Sequence, residues 1–225
     1  MDDDGTDEPD APDAPAFFLS YARAKRPLRP IGLPTDYNDP VKRFFQDLSV
    51  RVNHMIRLPV GLDAGFMDVG LEAGVEWSPE LLRQVGSCTV FVALLSEPYL
   101  YDSRWCPMEW HLFAQRTVRR RPDRPFVSPH QSAMIPVIWT PLDRRLPPAV
   151  SPRQLFAPAD LPDEYLGRYQ TDGLLGAADV DPHAYKAVVF KIARQIQLIR
   201  SSYVVEPVER EDTKGLPDSF WGGTP

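Results

Sequence analysis

Short apolar runs alternate with amphipathic stretches over most of this sequence, and that alternation constrains the fold more than any other feature. Residues 89–95, TVFVALL, are the clearest run, because they lack the polar alternation of a half-exposed strand. An uninterrupted run of this kind is typical of a parallel strand covered on both faces. Residues 16–21, 65–69 and 134–139 predict three further strands.

Helices are predicted between these strands. Three dipeptides combine an N-cap residue with a proline suited to the first helical position: Asp39-Pro40, Ser78-Pro79 and Asp181-Pro182. A further helix is predicted to begin near Ser103, since Pro107 is tolerated only in an opening turn. Strands that alternate with helices indicate the α/β class, with a flavodoxin-like three-layer arrangement around a parallel sheet.

Charge and proline content divide the chain into parts. Residues 1–15 carry seven acidic side chains and no basic one, which predicts a disordered acidic leader. Residues 204–225 carry five acidic and two basic side chains and are interpreted as an acidic C-terminal tail. The net charge of −6 therefore leaves +4 for residues 16–203, the predicted folded domain. Ten of the 25 prolines fall between Pro122 and Pro162, so that stretch is predicted to be rich in loops.

Charge and motif content argue against several function classes. A charge of +4 suits a small anionic ligand and falls well short of a nucleic-acid-binding composition. Cys88 and Cys106 form no CxxC pair, and the four histidines lack metal-ligand spacing, so no metal site is predicted. The sequence contains no Walker A, GxGxxG, GxSxG or HExxH motif. The longest apolar run, residues 90–95, is too short for a membrane helix, and we expect a soluble cytoplasmic protein without a membrane partner.

The loops after the predicted strands are where a site is expected, since ligands of parallel sheets bind outside the carboxyl ends of the strands. Residues 103–110, SRWCPMEW, are the most informative of these segments. Trp105 and Glu109 stand four residues apart and so share one face at the start of the predicted helix. Two interpretations remain open: the pair lines a site, or Glu109 complements the helix dipole while Trp105 anchors the helix.

Three other features have an ordinary structural explanation as well as a functional one. Asp68 ends a strand as a phospho-acceptor aspartate would, but the acidic pair expected after the first strand is missing. Gly70 and Gly74 bracket a loop that is either a surface connection or a contact loop over the site. Five arginines form either a solvated helix end or a surface for polyphosphate or an acidic partner: Arg116, Arg119, Arg120, Arg121 and Arg124.

Taken together, four segments of the sequence resemble TIR domains. Residues 17–23, FFLSYAR, are similar to the first strand of that family, and FMDV with the following LEAG is similar to its second strand and loop. CTVFVALLS, then Tyr99 and SRWCPME, resemble its third strand and next helix. Order and spacing agree over about residues 16–140, and similarity is greatest to stand-alone TIR-like proteins encoded with FxSxx-COOH peptide systems.

This resemblance implies a TIR domain over residues 16–203, a parallel sheet of five strands and self-association through the 69–77 loop. It also implies cleavage of NAD+ as a substrate, as in many bacterial members, with no cofactor and with Glu109 as the catalytic glutamate of the SxxWCxxE segment. Nine residues correspond to the family's nucleotide pocket: Ser20, Tyr21, Arg23, Asp68, Glu72, Gly74, Trp77, Trp105 and Cys106. The competing hypothesis is a non-catalytic module whose loop binds another TIR domain or a regulatory protein.

A single carboxylate is sufficient for the implied reaction. Ordinary glycosidases use two, because an alkoxide leaving group must be protonated. Nicotinamide leaves NAD+ as a neutral molecule, so Glu109 would only hold the ribose hydroxyls and offset the developing positive charge, while Tyr21 or Trp105 could stack on a base. Two segments depart from the family: residues 24–38 form a long insert that could cover or obstruct the site, and residues 141–181 leave the fifth strand unplaced.

Overall fold

The computed structural model describes residues 14–24, 36–68, 78–122, 124 and 132–222. Its elements follow in chain order: β1 Phe17–Tyr21, α1 Asp39–Met55, β2 Gly65–Met67, α2 Pro79–Ser87, β3 Val90–Leu95, α3 Trp105–Ala114, β4 Val118–Arg120, β5 Met134–Ile138, α4 Asp163–Val180, α5 Pro182–Ser202 and β6 Tyr203–Val205. One π-helical turn, Pro98–Asp102, lies between β3 and α3. Most of the predicted leader, most of the 24–38 insert and the 69–77 loop lie outside the described residues.

In the part of the chain that the structure describes, the central sheet has four parallel strands in the order β2-β1-β3-β5. Phe17 of β1 is paired with Gly65 on one side and with Val90 on the other, so β1 and β3 are interior strands. This is the strand order of the flavodoxin-like fold, and it confirms the predicted class. The chain builds outward in opposite directions from β1 and β3, so a crevice is expected where their carboxyl ends meet.

Helices cover both faces of the sheet. Phe17 contacts the ring of Phe45 in α1, whereas its neighbour Phe18 stacks on Phe91 of β3. Phe91 in turn meets Trp110 of α3 edge-on. Because successive strand residues point to opposite faces, α1 and α3 lie on opposite sides of the sheet. α1 packs against α5, α5 packs against α4, and α2 packs against α3, which gives the three layers predicted from the alternation.

A fifth parallel strand, which the resemblance implies, is absent from the described residues, and the outer edge of β5 explains why. Pro136 has no N–H, so it cannot donate to a further strand. Its carbonyl accepts one hydrogen bond, from the amide of Phe156 at 2.8 Å. The amide of Ile138 donates to the hydroxyl of Tyr169 at 2.9 Å. One passing loop and one side chain therefore satisfy this edge in place of a strand.

Residues 141–181, which the sequence resemblance left unplaced, contain a helix that the sequence did not predict. Residues 141–162 have turns and no regular element, as their prolines predict, and α4 then spans 18 residues. Gly173 interrupts α4 with a φ of 71°, which only glycine adopts readily. A Cβ at Gly173 would lie 2.6 Å from the carbonyl oxygen of Trp139, so this break also lets α4 approach the end of β5.

The segment described above as an acidic C-terminal tail packs against the domain. β6 pairs with β4 in an antiparallel ribbon, and the amide of Val208 donates to the carbonyl of Gly86 at 2.9 Å. Phe220, close to the end of the chain, is only 1% exposed. Within the described residues, no helix combines the length and the apolar character needed to cross a membrane.

Candidate functional site

Polar side chains from four segments meet at the carboxyl end of the sheet. Ser20 and Tyr21 end β1, Asp68 follows β2, and Tyr99 lies in the π-helical turn after β3. Glu109 reaches this edge from α3, where the local spacing of Trp105 and Glu109 had predicted a shared helix face. The cluster therefore lies at the β1–β3 crevice, where parallel α/β folds bind ligands.

Glu109 is held by a hydrogen-bonded chain of hydroxyl groups. The Oγ of Ser20 donates to Oε2 of Glu109 and lies 2.9 Å from Oη of Tyr99. A serine hydroxyl has one proton, so when Ser20 donates to Glu109 it accepts from Tyr99. All three side chains are enclosed: Ser20 is 1% exposed, Tyr99 0% and Glu109 8%. The chain of donors runs from Tyr99 through Ser20 to the carboxylate and favours its ionised form.

The proton affinity of Glu109 is set by its surroundings. Burial raises the pKa of Glu109 to about 8, and the negative charge of Asp68 acts in the same direction. The hydrogen bond from Ser20 and the positive charge of Arg23 oppose this rise. A carboxyl group that titrates near neutral pH in a crevice is typical of a functional group, because ordinary surface carboxylates are fully ionised there.

Arg23, Tyr21 and Asp68 tie the ends of β1 and β2 together. Nη2 of Arg23 lies 2.8 Å from Oδ2 of Asp68 and also donates to the Asp68 carbonyl at 3.0 Å. The hydroxyl of Tyr21 donates to the same carbonyl at 2.9 Å. Burial is the main cause that raises the pKa of Tyr21, so its hydroxyl keeps its proton and remains a donor. These contacts place one cation and one anion next to the buried carboxyl of Glu109.

The start of α3 is fixed by Ser103. Its hydroxyl accepts from the amides of Trp105 at 3.2 Å and Cys106 at 3.1 Å, which satisfies two of the free N–H groups of the first turn. The guanidinium of Arg104 lies 4.9 Å from the ring centre of Trp105. Cys106 is buried, and burial raises the pKa of its thiol well above the usual range, so it is an uncharged neighbour of Glu109.

The structure brings together part of the predicted set. Ser20, Tyr21, Arg23 and Asp68 form the cluster around Glu109, with Cys106 one turn earlier on α3. Trp105 is half-buried at the first residue of α3. Three predicted residues lie outside the described part of the chain: Glu72, Gly74 and Trp77. Contact of any of these residues with a nucleotide stays a prediction.

Two residues that contribute to the cluster were not among the predicted site residues. Tyr99 follows β3 closely, and its position at the carboxyl end of a strand was a usable signal. Phe220 stacks on the ring of Tyr99, with ring centres 5.5 Å apart, and its place near the end of the chain gave no signal. Among the described residues, no group of three or more histidine, cysteine or acidic side chains could hold a metal ion.

Comparison with known proteins assigns no family to this chain, so its class is defined by the fold. No protein-family model matches the chain, and no curated protein matches it. The chain is thus defined as an α/β protein with a flavodoxin-like parallel sheet and a buried glutamate at its β1–β3 crevice.

Proposed function

We propose that this protein is a TIR-domain NAD+ glycohydrolase of bacterial signalling or defence, with Glu109 as its catalytic residue. The observation that carries the proposal is the carboxyl of Glu109, buried at the β1–β3 crevice and held by Ser20. The proposal includes activation by self-association through the 69–77 loop, which is what the sequence resemblance implies. The supporting residues beside Glu109 come from the strand ends that the same resemblance marks, Tyr21, Arg23 and Asp68.

The reaction breaks the bond between the nicotinamide nitrogen and the anomeric carbon of ribose. The electron pair of that bond leaves with nicotinamide, which becomes neutral, and positive charge develops at the anomeric carbon. Water adds to that carbon and releases a proton, so the products are nicotinamide, ADP-ribose and H⁺. The carboxylate of Glu109 offsets the developing charge, and its low-dielectric surroundings strengthen that interaction.

The protonation state of Glu109 fits a cationic substrate. With a pKa of about 8, the carboxyl is mostly protonated in the free protein at pH 7. The positive nicotinamide ring next to it favours the ionised form, so substrate binding lowers the pKa toward the active state. Arg23, whose side chain is 33% exposed beside Asp68, offers guanidinium donors to the diphosphate of NAD+.

The test measures nicotinamide release by purified protein at rising concentration, with and without a crowding agent, for the wild type and for Glu109→Gln. We expect release to rise more steeply than protein concentration and to fall by about 100-fold in Glu109→Gln, because the charge that stabilises the transition state is lost. Glu206→Gln is the matched control and should keep the wild-type rate, since Glu206 lies just after β6 and pairs with Arg119 of β4 at 2.9 Å, away from the cluster around Glu109.

Two results would count against the proposal. Equal release by wild type and Glu109→Gln would remove Glu109 from the mechanism. No release from an assembled wild-type sample would favour the interaction module, in which Glu109→Gln alters association instead of turnover.

A further inference from the structure

Phe220 brings the C-terminal segment into contact with the hydroxyl chain of the site. Its ring stacks on Tyr99 with an angle of 24° between the planes and ring centres 5.5 Å apart. The same ring meets Trp110, the residue after Glu109 on α3, edge-on at 5.7 Å. Phe220 therefore contacts both the turn that carries Tyr99 and the helix that carries Glu109, although it is far from both in sequence.

The segment around Phe220 is anchored on either side of this contact. The amide of Ala149 donates to the Phe220 carbonyl at 3.3 Å. Trp221 stacks on Tyr101 of the π-helical turn with ring centres 5.8 Å apart. Leu216 is buried as the chain approaches this position. Because each anchor is outside the hydroxyl chain, the position of Phe220 is fixed independently of Ser20 and Glu109.

We propose that Tyr99 and Phe220 are positioning residues for Glu109: Phe220 holds the ring of Tyr99 so that its hydroxyl donates to Ser20, and Ser20 then orients the Glu109 carboxyl. A tyrosine ring carries its hydroxyl at its far end, so a tilt of the ring displaces that hydroxyl from Ser20. Ser20 without this donor would still contact Glu109 and the thiol of Cys106, but it would lose one of the partners that orient its hydroxyl. The effect on turnover rests on the proposed function, whereas the effect on the proton affinity of Glu109 does not.

Several other groups face Glu109 and bear on its proton affinity. Asp68 after β2 contributes a negative charge, and Arg23 after β1 contributes a positive one. The hydroxyl of Tyr21 and the thiol of Cys106 are uncharged at neutral pH, because burial raises the pKa of both. Within the described residues, Ser20 is the group that donates a hydrogen bond to the Glu109 carboxyl. Phe220 can therefore affect the proton affinity of Glu109 through the hydrogen bond from Tyr99 to Ser20.

The first measurement is the pKa of Glu109, followed by NMR of the ¹³C-labelled glutamate carboxyl and assigned with Glu109→Gln. Tyr99→Phe deletes one hydroxyl and leaves the ring, and Phe220→Leu removes the stacking partner. We expect each variant of the full chain to raise the pKa of Glu109 by about half a pH unit, since a donor chain that stabilises the carboxylate is weakened. Phe44→Leu is the matched control, because Phe44 is an equally buried aromatic that contacts Trp139 on the other face of the sheet.

An unchanged pKa in Tyr99→Phe overturns the proposal even if Phe220→Leu fails to fold. An equal rise in Phe44→Leu also overturns it, because general loosening of the core would then be the cause.

The second measurement is the pH profile of nicotinamide release. We expect the rising limb of kcat/KM to move to higher pH by the same amount in Tyr99→Phe and Phe220→Leu, with the loss at neutral pH recovered at pH 9. A merely structural defect would lower activity at every pH. If the wild type releases no nicotinamide while the pKa of Glu109 still rises in the variants, the glycohydrolase proposal fails and the positioning role stands. If the wild type releases nicotinamide but the pKa of Glu109 is unchanged in the variants, the positioning role fails and the glycohydrolase proposal stands.

Discussion

Glu109 binds a proton more tightly in the folded protein than in the unfolded chain, because burial penalises its charged form. Its pKa is about 8 in the fold against an ordinary value of 4.5. Between these values the folded state holds a proton that the unfolded state has lost, so the stabilising contribution is complete below about pH 4.5 and is lost as the pH rises to 8. The carboxyl proposed for catalysis is thus a cost to stability at alkaline pH.

Glu109→Gln is expected to remove that dependence on pH. The wild type should lose about 1.4 kcal/mol of unfolding free energy per pH unit between pH 5 and pH 8, relative to the variant, whose amide cannot lose a proton. Urea unfolding at four pH values measures the difference. Glu206→Gln should keep the wild-type slope, and parallel curves for wild type and Glu109→Gln would contradict the buried titration.

At the scale of elements, β2 depends on the absence of a side chain at Gly65. A Cβ there would lie 2.2 Å from the ring of Phe17, its partner in β1, and Phe17 is fully buried. The ring lies between β1 and α1, where it contacts Phe45, so it has little room to move. Since Asp68 follows β2 directly, the position of this strand also fixes the ion pair with Arg23.

Gly65→Ala is therefore expected to destabilise the protein by about 1–3 kcal/mol, the usual cost of overpacking a core. Gly167→Ala is the matched control, because Gly167 lies in α4 with no atom within 4 Å of the added Cβ. That change should be neutral or stabilising, since alanine favours helices. Urea unfolding of both variants decides the matter, and equal stabilities would show that Phe17 moves freely.

The sequence predicted those elements whose pattern is local. The uninterrupted run of β3 and the prolines at the starts of α1, α2 and α5 each carry their signal within a few residues, and all four elements are present. Ser78 and Asp181 are N-caps as predicted, whereas Asp39 is the first residue of α1 and Asn38 precedes it without a side-chain cap. α4 was not predicted, because glycines such as Gly173 interrupt its apolar spacing. The absence of a fifth strand beside β5 in the described residues follows from Pro136, which has no N–H to donate to a neighbouring strand. This effect requires Pro136 to face outward from β5, and only the tertiary structure shows that it does.

The candidate site likewise has a part that the sequence predicts and a part that only the tertiary structure shows. Ser20, Tyr21 and Asp68 lie at or directly after strands, so a parallel topology alone brings them to one edge, and helical spacing adds Glu109. The hydroxyl chain requires Tyr99 to point inward, and Phe220 reaches it through a fold-back of the C-terminal segment. No local pattern specifies either contact, because each depends on how distant segments pack.

At the scale of the whole molecule, Arg116 joins three segments of the chain. The sequence groups it with four other arginines, either as a solvated helix end or as a surface for polyphosphate or an acidic partner, but Arg116 is only 7% exposed and fits neither interpretation. Its guanidinium donates to the carbonyls of Cys88 and Val85 before β3, the latter at 3.2 Å. It also donates to Val205 at 3.1 Å and Glu206 at 2.9 Å, in and after β6. A single cation thus donates hydrogen bonds to backbone carbonyls at the end of α2 and in the C-terminal segment, which would otherwise lose this donor.

Arg116→Met should consequently destabilise the protein by about 3 kcal/mol, since several buried carbonyls lose their donor at once while the apolar stem is retained. Arg116→Lys should recover little, because one ammonium cannot reach carbonyls on both segments. Arg119→Met, which removes an exposed arginine from the same run, should change stability little. Urea unfolding compares the three, and hydrogen exchange at Val205 should rise in Arg116→Met first. If Arg116→Met proves as stable as Arg119→Met, the C-terminal segment is held by its apolar contacts, Phe220 among them, and not by this cation.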